Sequence, residues 1–351
     1  MSMTPPAVSN NANLMFITNM GSNSVSVFKE DPASGAISST GSFPTGEAPE
    51  FLASDANGRF LFVANTNSNS VSVFQIDARS SKLSPVAGSP FVTGAQPEGL
   101  AVISGASLLF VANQADHSIS GFHFDSATGA LAPVAGSPFA TPAAPFGLAA
   151  DAQSKFLFAT NATANSVSAF SIDTNTGALG AVSGSPFPTG STPIGLATDP
   201  NGQFIYVGDH MSDTITPFNV DSARGSLTPV SPLPAQNLNC SSTCHTNPLR
   251  IAVHPVQRFA YVADVGANML SPFSIADGRF LPVATPVATG EHPFGVALDP
   301  AGMFLFVANK VDNTISGYSV DLATGGLQTL PGSPFPTTGQ NPVGIVIVHP
   351  Q

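Results

Sequence analysis

The sequence predicts an all-β protein, a seven-bladed β-propeller with four-stranded antiparallel blades whose ring is closed by its C-terminal strand. Three observations predict this fold class. An apolar six-residue run recurs seven times at a spacing close to 48 residues, which is a period typical of a propeller blade. Each run is followed by a segment with the period-two alternation of a β-strand. The two ends of the chain carry strands that complete a blade only when they pair.

The recurring run is the second strand of each repeat, which we call strand B. Its last residues lie 46, 48, 48, 48, 55 and 45 positions apart. Both faces of the strand are apolar, as Phe60 and Leu61 illustrate, and this indicates a sheet covered on both sides. The seven copies are LMFITN (14–19), FLFVAN (60–65), LLFVAN (108–113), FLFATN (156–161), FIYVGD (204–209), FAYVAD (259–264) and FLFVAN (304–309).

The segments between the B strands supply three more strands. Strand C alternates β-branched with small residues, as in SVSVF at 70–74, and strand D ends in the motif GSPF, as at 136–139. Strand A is a short apolar strand such as GLATD at 195–199. The first repeat begins with its B strand at 14–19, and the chain ends with an A strand, GIVIVHP at 344–350. These two strands are therefore predicted to share one blade.

The predicted organisation is a flexible N-terminal segment, 1–13, followed by a single propeller, 14–351. One D–A connection carries an insertion loop, 231–250, with the only two cysteines of the chain. A disulfide between Cys240 and Cys244 is one interpretation. The alternatives are two free thiols and a c-type haem attachment, whose usual C-x-x-C-H spacing is one residue shorter. The loop offers too few ligands for zinc, and we expect neither a metal nor a cofactor.

Charge and hydropathy exclude several classes of partner. The net charge is −11 and ten basic residues are spread thinly, whereas a nucleic-acid partner requires a basic stripe. The same acidity disfavours anionic membrane surfaces, and no stretch has the roughly 20 apolar residues that cross a bilayer. With low charge and a cysteine pair, an extracytoplasmic location (periplasmic or secreted, with its signal outside this chain) is expected, and a cytoplasmic one is the alternative.

The units F-V-A-N and N-S-V-S-V-F resemble YVTN-type propeller repeats. From Leu14 onward the chain is similar to the seven-bladed lactonase family that includes bacterial 6-phosphogluconolactonases and fungal muconate lactonizing enzymes. The resemblance implies a lactonase-like hydrolase acting on a lactone or a small ester. The other hypothesis is a non-catalytic extracytoplasmic binding or scaffold propeller. We expect a monomer whose partner is a small-molecule ligand or an extracellular molecule.

Antiparallel pairing places the D–A and B–C loops on one face, which we call the top face. Its charge count predicts an acidic channel mouth that repels phosphorylated substrates, because only Arg250 and Lys310 are basic. Its carboxylates are Glu47, Glu50, Glu98, Asp116, Asp209, Asp213, Asp264, Glu291 and Asp312. Seven residues, each following the Pro of a D–A segment, are predicted to approach the channel axis: Glu50, Glu98, Phe146, Ile194, Leu249, Phe294 and Val343.

Arg250 stands where five of the other six repeats have glycine. A guanidinium at this mouth can hold a carboxylate or a lactone carbonyl, and the lactonase-like hypothesis assigns Arg250 to substrate orientation. In the same hypothesis His245, His292 or Glu98 activates water. The competing interpretation is structural, with Arg250 pairing with Glu98 or Asp264 to join two blades.

Two regular sets of polar residues are interpreted as structural. The first ends each B strand and is predicted to cap the following turn; it consists of Asn19, Asn65, Asn113, Asn161, Asp209, Asp264 and Asn309. The second opens the A–B turns; it consists of Asp55, Asp151, Asp199 and Asp299.

Overall fold

A computed structural model describes residues 12–230 and 247–350. These residues form seven antiparallel sheets, and the innermost strand of each sheet packs against the innermost strands of two neighbours until the circle is complete. The seven-bladed propeller predicted from the repeats is thereby confirmed. Apart from the strands there are two 3₁₀ turns, Met20–Ser22 and Ser104–Ala106. None of the helices within the described ranges has the length and hydropathy to cross a membrane.

The strands are numbered along the chain. The first blade contributes β1 Asn13–Asn19, β2 Ser24–Glu30 and β3 Ile37–Pro44; the second, β4 Pro49–Ser54, β5 Phe60–Asn65, β6 Ser70–Asp77, β7 Lys82–Pro85 and β8 Phe91–Val92. The third contains β9 Pro97–Ile103, β10 Leu108–Asn113, β11 Ser118–Phe124, β12 Leu131–Pro133 and β13 Phe139–Ala140; the fourth, β14 Pro145–Ala150, β15 Phe156–Asn161, β16 Ser166–Ile172, β17 Leu179–Ala181 and β18 Phe187–Pro188.

The fifth blade contains β19 Pro193–Thr198, β20 Phe204–Asp209, β21 Thr214–Val220 and β22 Leu227–Pro229. The sixth contains β23 Pro248–Val253, β24 Phe259–Asp264, β25 Met269–Ala276, β26 Arg279–Pro282 and β27 Val287–Ala288. The seventh contains β28 Pro293–Leu298, β29 Phe304–Asn309, β30 Thr314–Val320, β31 Leu327–Thr329 and β32 Phe335–Pro336, and β33 Pro342–Val348 returns to the first blade.

The ring closes as the termini predict. Strand β33 pairs antiparallel with β1, with Leu14 opposite Val348 and Phe16 opposite Val346. This pairing completes the order β3-β2-β1-β33, so neither end leaves an exposed sheet edge at the channel. Most of the predicted segment 1–13 and most of the predicted insertion loop, 231–246 with Cys240, Cys244 and His245, lie outside the described residues.

The core lies between the blades. In β5 every side chain is buried, and Phe60 and Phe62 pack against Leu109 and Val111 of the next blade. The same alternation of phenylalanine and branched residues repeats around the ring and explains why both faces of the B strands are apolar. Rigid interblade packing of this kind holds the top-face loops in fixed positions.

Strand D is the one element that the repeat pattern predicted incorrectly. The segment at 82–92 is not continuous, because β7 ends at Pro85 and pairing with β6 resumes only at Phe91. Gly88 has φ +86°, and Pro90 has no amide hydrogen for the ladder, so the motif GSPF forms a turn instead of a strand. The hydroxyl of Ser89 anchors this turn by accepting a hydrogen bond from Val73 N at 2.9 Å.

The two regular polar sets are structural, as predicted. Asn65 is buried and its Nδ2 donates to the hydroxyls of Ser70 and Ser72 at 3.1 and 2.9 Å. Asp55 Oδ1 accepts from the backbone amides of Arg59 and Phe60, both at 2.7 Å. These bonds fix the B–C loops above and the A–B turns below each blade.

Candidate functional site

The D–A and B–C loops meet on one face, as the strand order requires. His117 in a B–C loop accepts a hydrogen bond on Nδ1 from Ala144 N of the following D–A loop, at 2.8 Å. In blade seven Lys310 N donates to the carbonyl oxygen of His292 at 3.0 Å. Two positions per blade therefore surround the channel: the residue after the D–A proline and the residue after strand B.

These positions enclose a cavity of about 520 Å³ at the channel mouth. Two of the four predicted site residues, Glu98 and His292, lie in its wall. The lining consists of Glu50, Glu98, Phe146, Ile194, His210, Asn247, Leu249, Val265, Gly266, His292, Phe294 and Lys310. Six of the seven residues predicted to approach the axis are in this set, and the seventh, Val343, packs with Leu249 and Phe294 beside it.

Arg250 lies next to this cavity without lining it. Its guanidinium carbon is 3.9 Å from the centroid of the Phe51 ring, and the rings of Phe146 and Phe294 are 5.8 and 5.5 Å away. Arg250 and Phe51 occupy the same repeat position in blades six and two. In the other five blades this position is glycine, and at Gly99 a Cβ atom would collide with the carbonyl oxygen of Phe146 in the next blade. The two exceptions thus stack on each other across the channel.

The predicted ion pair of Arg250 with Glu98 or Asp264 does not form. No carboxylate oxygen of the described residues is within 4.0 Å of its guanidinium, and no described residue accepts a hydrogen bond from it. Burial lowers the pKa of Arg250 to about 10, against the opposing effect of Glu98 and Glu50, so the group stays charged at neutral pH. Cation–π contacts replace the expected salt bridge because Phe51 occupies the space beside the guanidinium.

Glu98 and Glu50 form a pair of carboxyl groups in the cavity wall. Glu98 is 4% exposed, and its buried Oε2 has no hydrogen-bond partner among the described residues. Burial, followed by the negative charge of Glu50, raises the pKa of Glu98 far above the usual range of a glutamate, while Arg250 and Lys310 oppose the shift. At neutral pH Glu98 is therefore an acid, and the prediction that it acts as a base is not supported.

The side-chain heads of His292 and Lys310, both in the wall, make no hydrogen bond or ion pair with a described residue. The His292 ring makes no hydrogen bond to a described residue and stacks on Phe294, with centroids 6.3 Å apart. Burial lowers the pKa of His292, and the positive charges of Lys310 and His210 add to this effect, so the imidazole is neutral at neutral pH. Lys310 Nζ lies 5.3 Å from the Phe294 centroid and, like Arg250, has no described carboxylate within 4.0 Å.

His210 and Lys310 were placed on the top face by sequence but were not recognised as site residues. Both follow the last residue of a B strand, where the other five repeats have Met20, Thr66, Gln114, Ala162 and Val265. A titratable side chain at this position in only two repeats was the signal that could have identified them. Burial lowers the pKa of His210, opposed by a hydrogen bond with the Asn247 backbone and by Asp213.

The charge of the cavity differs from that of the face around it. The acidity predicted from the count of top-face carboxylates is offset at the cavity, because Arg250 and Lys310 are both beside it. The raised pKa of Glu98 removes its negative charge at neutral pH. Four of the other carboxylates counted on this face are exposed and do not line the cavity: Glu47, Asp116, Glu291 and Asp312. Repulsion of a phosphorylated or carboxylated substrate is therefore weaker at the cavity than the count of carboxylates predicts.

A larger cavity of about 660 Å³ lies on the opposite face, between blades four and five. Lys155 is the charged residue of its described lining, which otherwise contains amides such as Gln153, Asn201 and Gln203. It brings together no candidate acid and base, so the channel mouth is the better candidate site.

The fold and the mouth define a propeller with a cavity on its axis that is lined by six of the seven blades. The family model described as "Lactonase, 7-bladed beta-propeller" matches residues 7–94, 140–243 and 236–344. This chain belongs to that family, as its repeats predicted.

Curated relatives match over shorter stretches. The 6-phosphogluconolactonase of Formosa agariphila is 38% identical over 85 residues, 23% of this chain and 24% of the relative. That of Serratia proteamaculans is 33% identical over 99 residues, covering 28% and 29% of the two chains. The aligned stretches thus span about a quarter of these relatives.

Solved structures match over the whole fold. The periplasmic gluconolactonase of Pseudomonas aeruginosa superposes with a TM-score of 0.84 at 20% identity, over 97% of this chain and 100% of the other. A putative 6-phosphogluconolactonase from Bacteroides fragilis gives a TM-score of 0.84 at 20% identity, over 98% and 100%. At these identities the likeness establishes the fold alone.

Proposed function

We propose that this protein hydrolyses a lactone in the cavity at the channel mouth. The observation that carries the proposal is the grouping, around one 520 Å³ space, of a neutral imidazole, a protonated carboxyl and a cation with no anionic partner among the described residues. Membership of the lactonase family supports the reaction type. Ester hydrolysis needs a base for water, an acid for the leaving oxygen and positive charge for the oxyanion.

In this proposal His292 is the general base. Its ring is neutral at neutral pH and unbonded to described residues, so it can accept a proton from a water molecule that attacks the lactone carbonyl carbon. Lys310, in the same blade, stabilises the negative charge that develops on the carbonyl oxygen. The ring C–O bond then breaks.

Glu98 supplies the proton for the departing ring oxygen, which becomes the hydroxyl of the hydroxy acid product. Its raised pKa makes it a proton donor at neutral pH, and the positive charge of Arg250 favours the carboxylate that remains. Arg250 is a positioning residue: its charge acts on the two carboxyls from behind the rings of Phe146 and Phe294. Because His245 lies outside the described residues, its predicted role stays a prediction.

The test is a panel of γ- and δ-lactones with the full chain, measured by acid release in a pH-stat. His292→Asn should lower kcat/KM by about 100-fold or more, the usual contribution of a general base, and Lys310→Met by a similar factor. His123→Asn and Lys82→Met are matched controls on the outer strands β11 and β7 and should retain wild-type rates.

Two results would contradict the proposal. Equal rates for His292→Asn and His123→Asn would remove the assigned base. A folded wild-type chain that hydrolyses no lactone of the panel would favour the binding-module hypothesis instead. Arg250→Met should reduce kcat/KM less than Lys310→Met, because Arg250 does not line the cavity.

A further inference from the structure

The cavity at the channel mouth has two chemically different walls. His292 and Lys310 both belong to blade seven. Blades four, five and six contribute Phe146, Ile194 and Leu249, and Val265 extends this surface. These four side chains we call the apolar wall. Reactive groups and hydrocarbon therefore line different parts of one space.

Asn247, another polar residue of the lining, already has partners within the protein. Asn247 Nδ2 donates to the carbonyl oxygen of His210 at 3.0 Å, and Asn247 N donates to Asp213 Oδ1 at 2.8 Å. Two buried atoms of the lining outside blade seven, His210 Nδ1 and Glu98 Oε2, have no partner among the described residues. The rest of the surface contributed by blades four, five and six is mainly hydrocarbon.

This distribution decides between two kinds of lactone. A sugar lactone has a hydroxyl on nearly every carbon, and hydroxyls placed against the apolar wall would lose their bonds to water without replacement, which is costly. A hydrocarbon substituent placed there gains by leaving water. The cavity volume is within the range of sites for small organic ligands.

We infer that the ligand of this site is a lactone with an alkyl or aryl substituent, and that the apolar wall binds this substituent while the lactone group faces His292 and Lys310. The inference deepens the proposed function and rests on it for the reaction. The hydrocarbon preference itself can be measured without turnover.

The kinetic test uses γ-lactones whose side chain lengthens one methylene at a time, with each kcat/KM divided by the rate constant for hydroxide-catalysed hydrolysis of the same compound. We expect a gain of about fourfold per methylene over the first members. We also expect δ-valerolactone to exceed glucono-δ-lactone by at least tenfold after the same correction. A flat series, or a preference for glucono-δ-lactone, would overturn the inference.

The binding test uses calorimetry with the sodium salts of the matching 4-hydroxyalkanoic acids, which are the reaction products. Affinity should rise with chain length, and gluconate should bind more weakly than the longer members. The result separates the two proposals: a rising affinity without any hydrolysis contradicts the proposed function but retains the hydrocarbon site, whereas hydrolysis without a chain-length effect contradicts only the inference.

A matched pair of variants tests whether the gain in kcat/KM per methylene arises at the apolar wall. Ile194→Asn places an amide in the apolar wall and should reduce the gain per methylene to about twofold or less. Val92→Asn changes an exposed side chain on the outer strand β8 and should leave the gain at its wild-type value. Equal gains in both variants would show that the substituent binds elsewhere.

Discussion

The protonation of Asp264 offers the strongest test of the electrostatics near the mouth. Asp264 ends β24, at the position where five other blades have asparagine. It is 2% exposed, receives a hydrogen bond from the Ser271 hydroxyl, and its Oδ1 has no partner among the described residues. Burial raises its pKa from 3.8 to about 7. Between these values the native state keeps a proton that the unfolded chain has lost, so the free energy of unfolding falls as pH rises.

Asp264→Asn should therefore stabilise the protein at pH 8. The pKa difference sets an upper limit of about 4 kcal/mol, at 1.36 kcal/mol for each factor of ten in proton affinity. The asparagine can donate to Ser271 as Asn113 Nδ2 donates to Ser120 Oγ at 2.9 Å. The advantage should grow from pH 4 to pH 7, remain constant above and disappear below pH 4.

The measurement is urea unfolding followed by far-UV circular dichroism, because the chain has no tryptophan. Asn113→Asp is the reverse control and should lose stability at pH 8 but not at pH 4. An Asp264→Asn variant that is less stable than wild type at pH 8, or whose effect is the same at pH 4 and pH 8, would refute the reasoning.

Three further predictions concern single sites. Ser81 has φ +58° and a buried hydroxyl without a described partner, where the equivalent residue of another blade is Gly129; Ser81→Gly should raise the free energy of unfolding by about 1 kcal/mol, and a loss in urea unfolding would show that the hydroxyl is bonded. His254 Nδ1 accepts from Val256 N and Gln257 N, and burial lowers its pKa. Wild type should therefore lose stability as pH falls from 7 to 5, because the unfolded chain binds the proton more readily. His254→Asp should lose less over this range in thermal melts, and an equal loss would exclude His254 as the cause. Glu98→Gln keeps the neutral form present at pH 7 but cannot donate a proton, so kcat on an active lactone should fall about 100-fold or more with a smaller change in KM; unchanged kcat would exclude Glu98 as the acid.

Most of the fold was predictable because the sequence pattern of one blade recurs seven times. The B strands, the closure by β33 and the structural roles of Asn65 and Asp55 all follow from residues that recur at one spacing. The broken D strand was missed for a local reason, since GSPF has the phenylalanine of a strand next to a glycine and a proline that end one. Periodicity alone could not show which of these signals determines the backbone.

The site was predictable only in part, because it is made of departures from the repeat. Glu98 and His292 were placed correctly on the lining by their position near the D–A proline. His210 and Lys310 were not chosen, although a titratable group after strand B is as irregular as Arg250 in place of glycine. The mouth was predicted to be too acidic because a count of charged residues on one face ignores their distance from the channel axis. The two basic residues of that face, Arg250 and Lys310, both lie beside the cavity.

The contact between Phe51 and Arg250 could not be predicted from any single repeat. At the position of Phe51 glycine is the rule because the carbonyl of the next blade leaves no space for a side chain, and Arg250 breaks the same rule four blades later. Each exception needs space for its side chain, and the two side chains meet, with the guanidinium carbon of Arg250 3.9 Å from the centroid of the Phe51 ring. The contact stabilises a half-buried cation that has no described carboxylate within ion-pair distance. Arg250 and Phe51 therefore act together. Their stacking holds the guanidinium of Arg250 near Glu98, where no ion pair with a described carboxylate cancels its positive charge.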